Sequence, residues 1–173
     1  MYLKIIGSLL VVMSSALLGF YFAYKEEFRI KDLSELKKAL GILKSEIEFA
    51  RTPLPEAFLH ISERVEKSVG GIFYEMANKL SKKGSDSISD IWTEVFLEST
   101  KKTYFASEDL ELICSFGKTL GYLDAQMQSN TIAMITDNID TKIQFLTELS
   151  IKNKKMYRSL GVLGGILLCV VLY

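Results

Sequence analysis

The most constraining feature of the sequence is an uncharged stretch of 20 residues near its amino end, 5–24. At about 1.5 Å per helical residue, this stretch spans roughly 30 Å, which is the thickness of the hydrocarbon core of a bilayer. It ends in the cluster Phe20-Tyr21-Phe22-Ala23-Tyr24, and aromatic residues are enriched at membrane interfaces. A cleaved signal peptide is the alternative, but such peptides have a shorter apolar core and a small-residue cleavage site. The pattern therefore favours an uncleaved transmembrane anchor.

A second uncharged stretch lies at the carboxyl end, 160–173. It makes about 21 Å of helix, which is short for a span, although Met156 and Tyr157 lengthen it. Arg158 can reach the headgroups with its long side chain. A buried core helix is the alternative. Because the stretch has no polar face to show to water, we expect a second transmembrane helix.

Lysine and arginine near the ends of these stretches set the orientation. The outer flanks offer Lys4 and the amino terminus, whereas the inner flanks carry a basic cluster. That cluster comprises Lys25, Arg29, Lys31, Lys152, Lys154, Lys155 and Arg158. Because basic flanks stay in the cytoplasm, the segment between the spans is predicted to be cytoplasmic. The expected organisation is an anchor (1–25), a cytoplasmic helical domain (26–158) and a second transmembrane helix (159–173).

The central domain is predicted to be all-α, a bundle of about six helices between the two transmembrane helices. Every apolar pattern in it has helical spacing, and no strand pattern of any length is present. The first helix carries an apolar stripe at Leu33, Leu36, Leu40, Leu43, Ile47 and Ala50. The last helix carries a second stripe at Met127, Ile132, Ile135, Ile139, Ile143 and Leu146. Four aromatic residues are assigned to the core: Phe73, Trp92, Phe96 and Phe116.

Capping residues and glycines predict where these helices begin and end. Three residues are expected to be N-caps: Thr52, Ser107 and Asp124. Pro53 is expected at the first position of the second helix. The pair Gly70-Gly71 is expected to end that helix, and Gly121 to follow the fifth.

Charge and composition argue against several classes of function. The chain has 21 basic and 21 acidic residues, so it lacks the basic excess that a general nucleic-acid binder needs. His60 is the only histidine, and the two cysteines lie far apart, so neither a metal cluster nor a disulfide framework is expected. Metal binding by His60 with Glu56 or Glu63 is possible in spacing, but a structural or surface role is preferred. With no phosphate-binding loop either, no cofactor is expected, and the chain is predicted not to be an enzyme.

Small residues recur at a spacing of four in both apolar stretches. Ser15 and Gly19 form one such pair, and Gly161 and Gly165 form the other. Small residues at this spacing let membrane helices approach closely. The pattern suggests packing between the spans, although glycine is frequent in membrane helices for other reasons.

Four stretches, read in order, resemble the stage III sporulation protein AB family of endospore-forming bacteria. They are Leu43-x-x-Glu46-Ile47 with Thr52-Pro53-Leu54-Pro55-Glu56-Ala57; Trp92; Phe116-Gly117-Lys118-Thr119-Leu120-Gly121-x-x-Asp124-x-Gln126; and Lys155-Met156-Tyr157-Arg158-Ser159-Leu160-Gly161-Val162-Leu163-Gly164-Gly165. The resemblance covers nearly the whole chain. Phe116 stands where the family usually has leucine, a conservative change.

The resemblance implies an assembly component. The family builds a secretion-like channel in the mother-cell membrane around the forespore, and it is similar to the platform protein of type II secretion and type IV pilus systems. The implied partners are an ATPase like stage III sporulation protein AA, other membrane components of the channel, and the lipid bilayer; a homo-oligomer is possible, and no nucleic acid is implied.

Contact with that ATPase is expected through exposed polar residues, because the apolar stripes are needed for the core. The candidates are Glu46, Arg51, Glu56, Asp124 and Gln128. Glu46 ranks first, because it borders the core stripe and belongs to a matching motif; a solvated charge is the alternative. Two other functions stay open: a membrane-bound enzyme, and a signalling or scaffold module unrelated to secretion.

Overall fold

The computed structural model describes the backbone of residues 2–82, 87–120 and 124–172. These residues form six α-helices and no strand, which confirms the predicted all-α class. The helices are α1 (Tyr2–Ser45), α2 (Leu54–Arg64), α3 (Lys67–Lys82), α4 (Ile88–Glu98), α5 (Ser107–Gly117) and α6 (Ala125–Leu172). A π-helical turn, Glu46–Ala50, follows α1, and a short 3-10 turn, Ser99–Lys101, follows α4.

The chain divides into two compact units. One consists of Arg29–Ile143, and the other of Met1–Phe28 with Gln144–Tyr173. The first of these units contains the shorter helices α2 to α5 complete, together with parts of the two long helices.

Most side chains of the two uncharged stretches, 5–24 and 160–173, lie outside what the structure describes. The predicted packing residues Ser15, Gly19, Gly161 and Gly165 are among them. Within the part of the chain that is described, no helical stretch has both the length and the apolar character needed to cross a membrane.

The core of the Arg29–Ile143 unit is built around Trp92. Its ring centroid lies 4.8 Å from that of Phe96 and 5.3 Å from that of Phe116. Phe58 and Phe73 extend the cluster, with centroids 5.7 Å apart in an edge-to-face arrangement. The indole Nε1 donates a hydrogen bond of 2.9 Å to the buried carbonyl of Ile113, so the polar end of Trp92 is satisfied. The prediction that Phe73, Trp92, Phe96 and Phe116 form the core is confirmed.

Both predicted apolar stripes face the core along most of their length. In α1, Leu33, Leu36, Leu40 and Leu43 are all buried, and so is Ile47 in the π-helical turn. In α6, Ile132, Ile135, Ile139 and Leu146 are buried, whereas Ile143 is half-buried. The ends of the stripes were predicted wrongly, because Ala50 and Met127 are exposed. Ala50 leaves the stripe because the backbone changes from α to π geometry at Glu46, which alters the rotation per residue.

Three predicted helix boundaries are wrong. Pro53, not Thr52, occupies the N-cap position of α2, and Ala106 takes that position in α5, so that Ser107 is the first helical residue. Gly70 and Gly71 lie inside α3, whereas the break before it falls at Val65 and Glu66. The prediction for Gly121 lies outside the described residues.

A contact with another helix helps fix the break between α2 and α3. Val65 is in an extended conformation, and the Glu66 amide donates a 2.9 Å hydrogen bond to the Glu35 carboxylate of α1. Gly70 then permits close packing: a Cβ atom there would lie 2.7 Å from the carbonyl oxygen of Ser62 in α2. The glycine therefore marks a close helix contact and not a helix end.

Candidate functional site

The turn between α1 and α2 has the most unusual backbone geometry in the described chain. After the π-helical turn, Arg51 adopts φ 51° and ψ 35°, the left-handed region. No other non-glycine residue among those described has a positive φ. A non-glycine side chain in this region costs about 1–2 kcal/mol, so the surrounding contacts must compensate.

Glu46 supplies that compensation through its backbone. Its carbonyl oxygen accepts hydrogen bonds from the amide of Arg51 and, at 3.2 Å, from the amide of Thr52. Both bonds satisfy donors just beyond the end of the helix and hold the left-handed residue in place.

The Glu46 side chain also connects this turn to α2 through hydrogen bonds. One carboxylate oxygen accepts a 2.6 Å hydrogen bond from the Thr52 hydroxyl, and the other lies 3.1 Å from Nδ1 of His60. The side chain is only 12% exposed. The Thr52 hydroxyl, and after it the His60 ring, hold the pKa of Glu46 below its usual value, because hydrogen-bond donors favour the charged carboxylate. This contact gives His60 the structural role that the sequence favours, with Glu46 and not Glu56 or Glu63 as its partner.

The five candidate contact residues occupy two places in the fold. Glu46 and Arg51 meet in the turn, and exposed Glu56 follows in the first turn of α2. Asp124 and Gln128 lie at the start of α6, where Asp124 is exposed and Gln128 is half-buried. The Asp124 carboxylate accepts a 2.8 Å hydrogen bond from the Met127 amide, which confirms the predicted N-cap.

Sequence reasoning missed a large apolar residue that is exposed in this turn. Phe49 has 80% of its surface exposed, although it is large and apolar. The sequence offered one signal for this exposure. Phe49 lies in the segment Glu46–Ala50 but does not fit the helical spacing of the apolar core stripe.

A second polar cluster that the sequence did not reveal is centred on Asp109, near the start of α5. Its side chain is 0% exposed. Arg29 donates two hydrogen bonds to it, of 2.7 and 2.9 Å, and Lys142 lies 2.6 Å away. The Ala106 amide donates another of 2.8 Å. Burial opposes ionisation of the carboxyl, but the bonds from Arg29, Lys142 and Ala106 outweigh it and lower the pKa of Asp109.

Asp32 also accepts hydrogen bonds from residues that are distant in sequence. It is buried in α1, where one oxygen accepts a 2.8 Å hydrogen bond from the Ser68 hydroxyl and the other accepts one of 2.8 Å from the Tyr104 amide. Asp32 and Asp109 connect helices that are distant in sequence, so both are structural and their oxygens are occupied by donors. In the sequence, Asp32 and Asp109 appear only as single acidic residues beside apolar ones. Because this pattern is common in any helix, it does not predict their contacts.

The described side chains offer little reactive chemistry. No group of three or more histidine, cysteine or acidic side chains among them is arranged to hold a metal ion. Cys114 is half-buried, and this burial raises the pKa of its thiol, which therefore stays protonated near neutral pH. The turn around Glu46 presents exposed Phe49 beside the exposed charged residues Glu48 and Arg51.

Comparison with known proteins gives one consistent family. The family model described as stage III sporulation protein AB matches residues 4–173. Stage III sporulation protein AB of Bacillus subtilis (strain 168) is 29% identical over 170 residues, which cover 98% of this chain and 99% of that protein. A solved structure of stage III sporulation protein AB (SpoIIIAB) superposes with a TM-score of 0.67 at 24% identity, covering 72% of this chain and 97% of that one. The solved structure supports the fold alone.

Proposed function

The chain belongs to the stage III sporulation protein AB family, and on that basis we propose that it is a non-enzymatic, membrane-anchored adaptor of a secretion-like sporulation complex. In this role the Arg29–Ile143 unit lies in the cytoplasm of the mother cell, and the terminal parts of α1 and α6 lie in the membrane around the forespore. The adaptor couples a cytoplasmic ATPase, like stage III sporulation protein AA, to the membrane components of the complex.

One observation carries the membrane part of this proposal. In the stretch 5–24 four described side chains recur at intervals of four, four and three residues along α1: Met13, Leu17, Tyr21 and Tyr24. They are 45–65% exposed. An exposed apolar stripe on an uncharged stretch of helix suits a lipid environment, and tyrosines at one end of it suit the interface.

The adaptor role is supported by the burial of the apolar stripes of α1 and α6 in the described core. Within the Arg29–Ile143 unit, most residues of these apolar stripes are buried, so a partner must use other surfaces. Glu46, Arg51, Glu56, Asp124 and Gln128 remain the proposed polar contacts. Three of them, Glu46, Arg51 and Glu56, follow one another across the turn between α1 and α2.

Binding between purified proteins tests this function. The full chain, embedded in lipid nanodiscs, should bind the purified ATPase in a concentration-dependent manner, and empty nanodiscs should not. Recovery of the ATPase with the tagged chain from sporulating cells should agree. Absence of binding in both measurements would refute the adaptor role, whatever the topology of the chain.

A further inference from the structure

Arg29 and Lys142 lie at the two places where the chain passes from one compact unit to the other. Arg29, in α1, is the first residue of the Arg29–Ile143 unit, and Lys142, in α6, is the last but one. Both side chains bind one carboxylate, that of Asp109 in α5. A single buried group therefore joins the two long helices at the border of the unit.

Four donors occupy the Asp109 carboxylate, two on each oxygen. Oδ2 accepts a 2.7 Å hydrogen bond from Nε of Arg29 and one of 2.8 Å from the Ala106 amide. Oδ1 accepts one of 2.9 Å from a second guanidinium nitrogen of Arg29 and lies 2.6 Å from Nζ of Lys142. Two donors on each oxygen fill the acceptor positions of a carboxylate. Because the side chain is 0% exposed, water does not readily replace a donor that is lost.

Asp109 is also held firmly on its own helix. The bond from the Ala106 amide fixes the carboxylate in the first turn of α5, where the helix dipole favours a negative charge. One turn later, the buried carbonyl of Ile113 accepts the 2.9 Å hydrogen bond from Trp92. The carboxylate is thus connected to the aromatic core of the unit through a single turn of helix.

We propose that Asp109 is a coupling clamp, which holds α1 and α6 in one register at the border of the unit, so that the two helices shift there together. A slide of either helix by one turn, about 5.4 Å, takes its cation out of reach and leaves the buried carboxylate short of donors. Movement of one helix at this border is therefore passed to the other through α5. The clamp concerns the Arg29–Ile143 unit itself and does not depend on the adaptor role.

An ion cluster of this kind suits the control of register better than it suits stability. Replacing buried ion pairs by apolar residues often leaves stability unchanged, because the loss of hydration offsets the attraction between the charges. Apolar contacts are not directional, so they restrain sliding less. A second contact between the same helices, Lys37 with Asp140, has both side chains 40% exposed, so water can replace either partner.

Hydrogen–deuterium exchange of the full chain in lipid nanodiscs, followed by mass spectrometry, measures local opening of the helices. In the wild type, three segments around Asp109 should open with one shared free energy: 29–33, 109–113 and 138–142. Clearly different opening free energies for these segments would refute the clamp.

Lys142→Met removes the cation of α6, while Arg29 and Ala106 still bond Asp109. Exchange should become at least about tenfold faster in 138–142 and stay unchanged in 29–33 and 109–113. Glu108→Gln is the matched control: Glu108 lies 3.8 and 3.5 Å from the same two cations, but it is 78% exposed, so no segment should change.

The segment 91–96 around Trp92 is the reference for global stability and should keep its wild-type protection. Faster exchange of Lys142→Met in all segments, the reference included, would mean that Lys142 contributes only to global stability, and the clamp would be overturned. Unchanged exchange in every segment would overturn it too, because other contacts would then hold α6.

The triple variant Arg29→Met, Asp109→Asn, Lys142→Met separates register from stability. Asparagine keeps an acceptor for the Ala106 amide, and no buried charge is left without a partner in the cluster. The variant should melt close to the wild type, yet 29–33 and 138–142 should exchange at different rates. If the two segments still open together, apolar packing couples α1 and α6, and Asp109 is not the clamp. Failure to fold would also contradict the proposal, because stability would then be what the charges supply.

Discussion

The ring of Trp92 lies directly against the backbone of Gly117, so closely that a Cβ atom on Gly117 would come within 2.2 Å of its Cδ1 atom. Trp92 cannot easily move aside, because it is buried among Phe73, Phe96 and Phe116 and bonded to the Ile113 carbonyl. The glycine at the end of α5 is therefore required by the packing of α4 on α5.

Gly117→Ala should destabilise the protein by about 1–3 kcal/mol, the usual cost of forcing extra volume into a packed core. Thermal unfolding of the full chain, followed by circular dichroism, measures the effect. Gly41→Ala is the matched control: a Cβ atom there meets nothing within 4 Å, and alanine is favoured in a helix interior by about 1 kcal/mol. Equal melting temperatures for the two variants would contradict the packing argument.

The adjacent glycines of α3 should respond in opposite directions. Gly70→Ala places a methyl group 2.7 Å from the Ser62 carbonyl oxygen, so we expect a loss of about 1–3 kcal/mol as α2 and α3 separate. Gly71→Ala meets nothing within 4 Å and should stabilise the helix by up to about 1 kcal/mol. Chemical denaturation of both variants checks the difference in sign, and a loss in both would show that the pair has another role.

Asp109→Asn should cost about 3 kcal/mol, because it leaves Arg29 and Lys142 around a buried neutral group. Glu108→Gln is the control: its side chain is 78% exposed and faces the same two cations at 3.8 and 3.5 Å, so its loss should stay below about 1 kcal/mol. Urea unfolding at neutral pH measures both.

The same carboxylate should give the protein a dependence on pH. The pKa of Asp109 is lower in the folded protein than in the unfolded chain, where an aspartate has a pKa of about 3.9. Its contribution to stability is therefore fully present above that value and is lost as the pH falls through the folded pKa. Between about pH 5 and 2 the unfolding free energy of Asp109→Asn should fall less steeply than that of the wild type; parallel curves would refute the assignment.

Asp124→Ala should lower stability by about 0.5–2 kcal/mol, because it removes the side-chain acceptor of the Met127 amide at the start of α6. Asp137→Ala, an exposed aspartate in the middle of the same helix, is the matched control and should be nearly neutral. Thermal melts of the two variants give the comparison. Similar small effects would mean that the start of α6 is held by other contacts.

Membrane topology can be tested in intact vegetative cells by thiol labelling. With Cys114 and Cys169 replaced by serine, a single cysteine at exposed Asn138 should resist a membrane-impermeant maleimide until the membrane is permeabilised. A cysteine added after Tyr173 should react without permeabilisation if the second stretch spans the membrane. Labelling of Asn138→Cys in intact cells would reverse the proposed orientation.

The sequence by itself determined the helical class and most of the core. Apolar residues at helical spacing bury one face of each helix, and Leu33, Leu36 and Leu40 are buried as that spacing predicts. The Asp124 cap was also readable, because an N-cap bonds amides only two or three residues away. Local patterns suffice where the physical cause is local.

Tertiary structure alone decided the rest. Gly70 could have ended a helix or admitted a close neighbour, and only the Ser62 carbonyl of α2 distinguishes the two. The pairing of Arg29 with Asp109 spans 80 positions of sequence, and the contact between Glu46 and His60 spans 14. Such bonds depend on which helices meet and at what level, because each charged side chain has many possible partners and the packing of the apolar core selects among them.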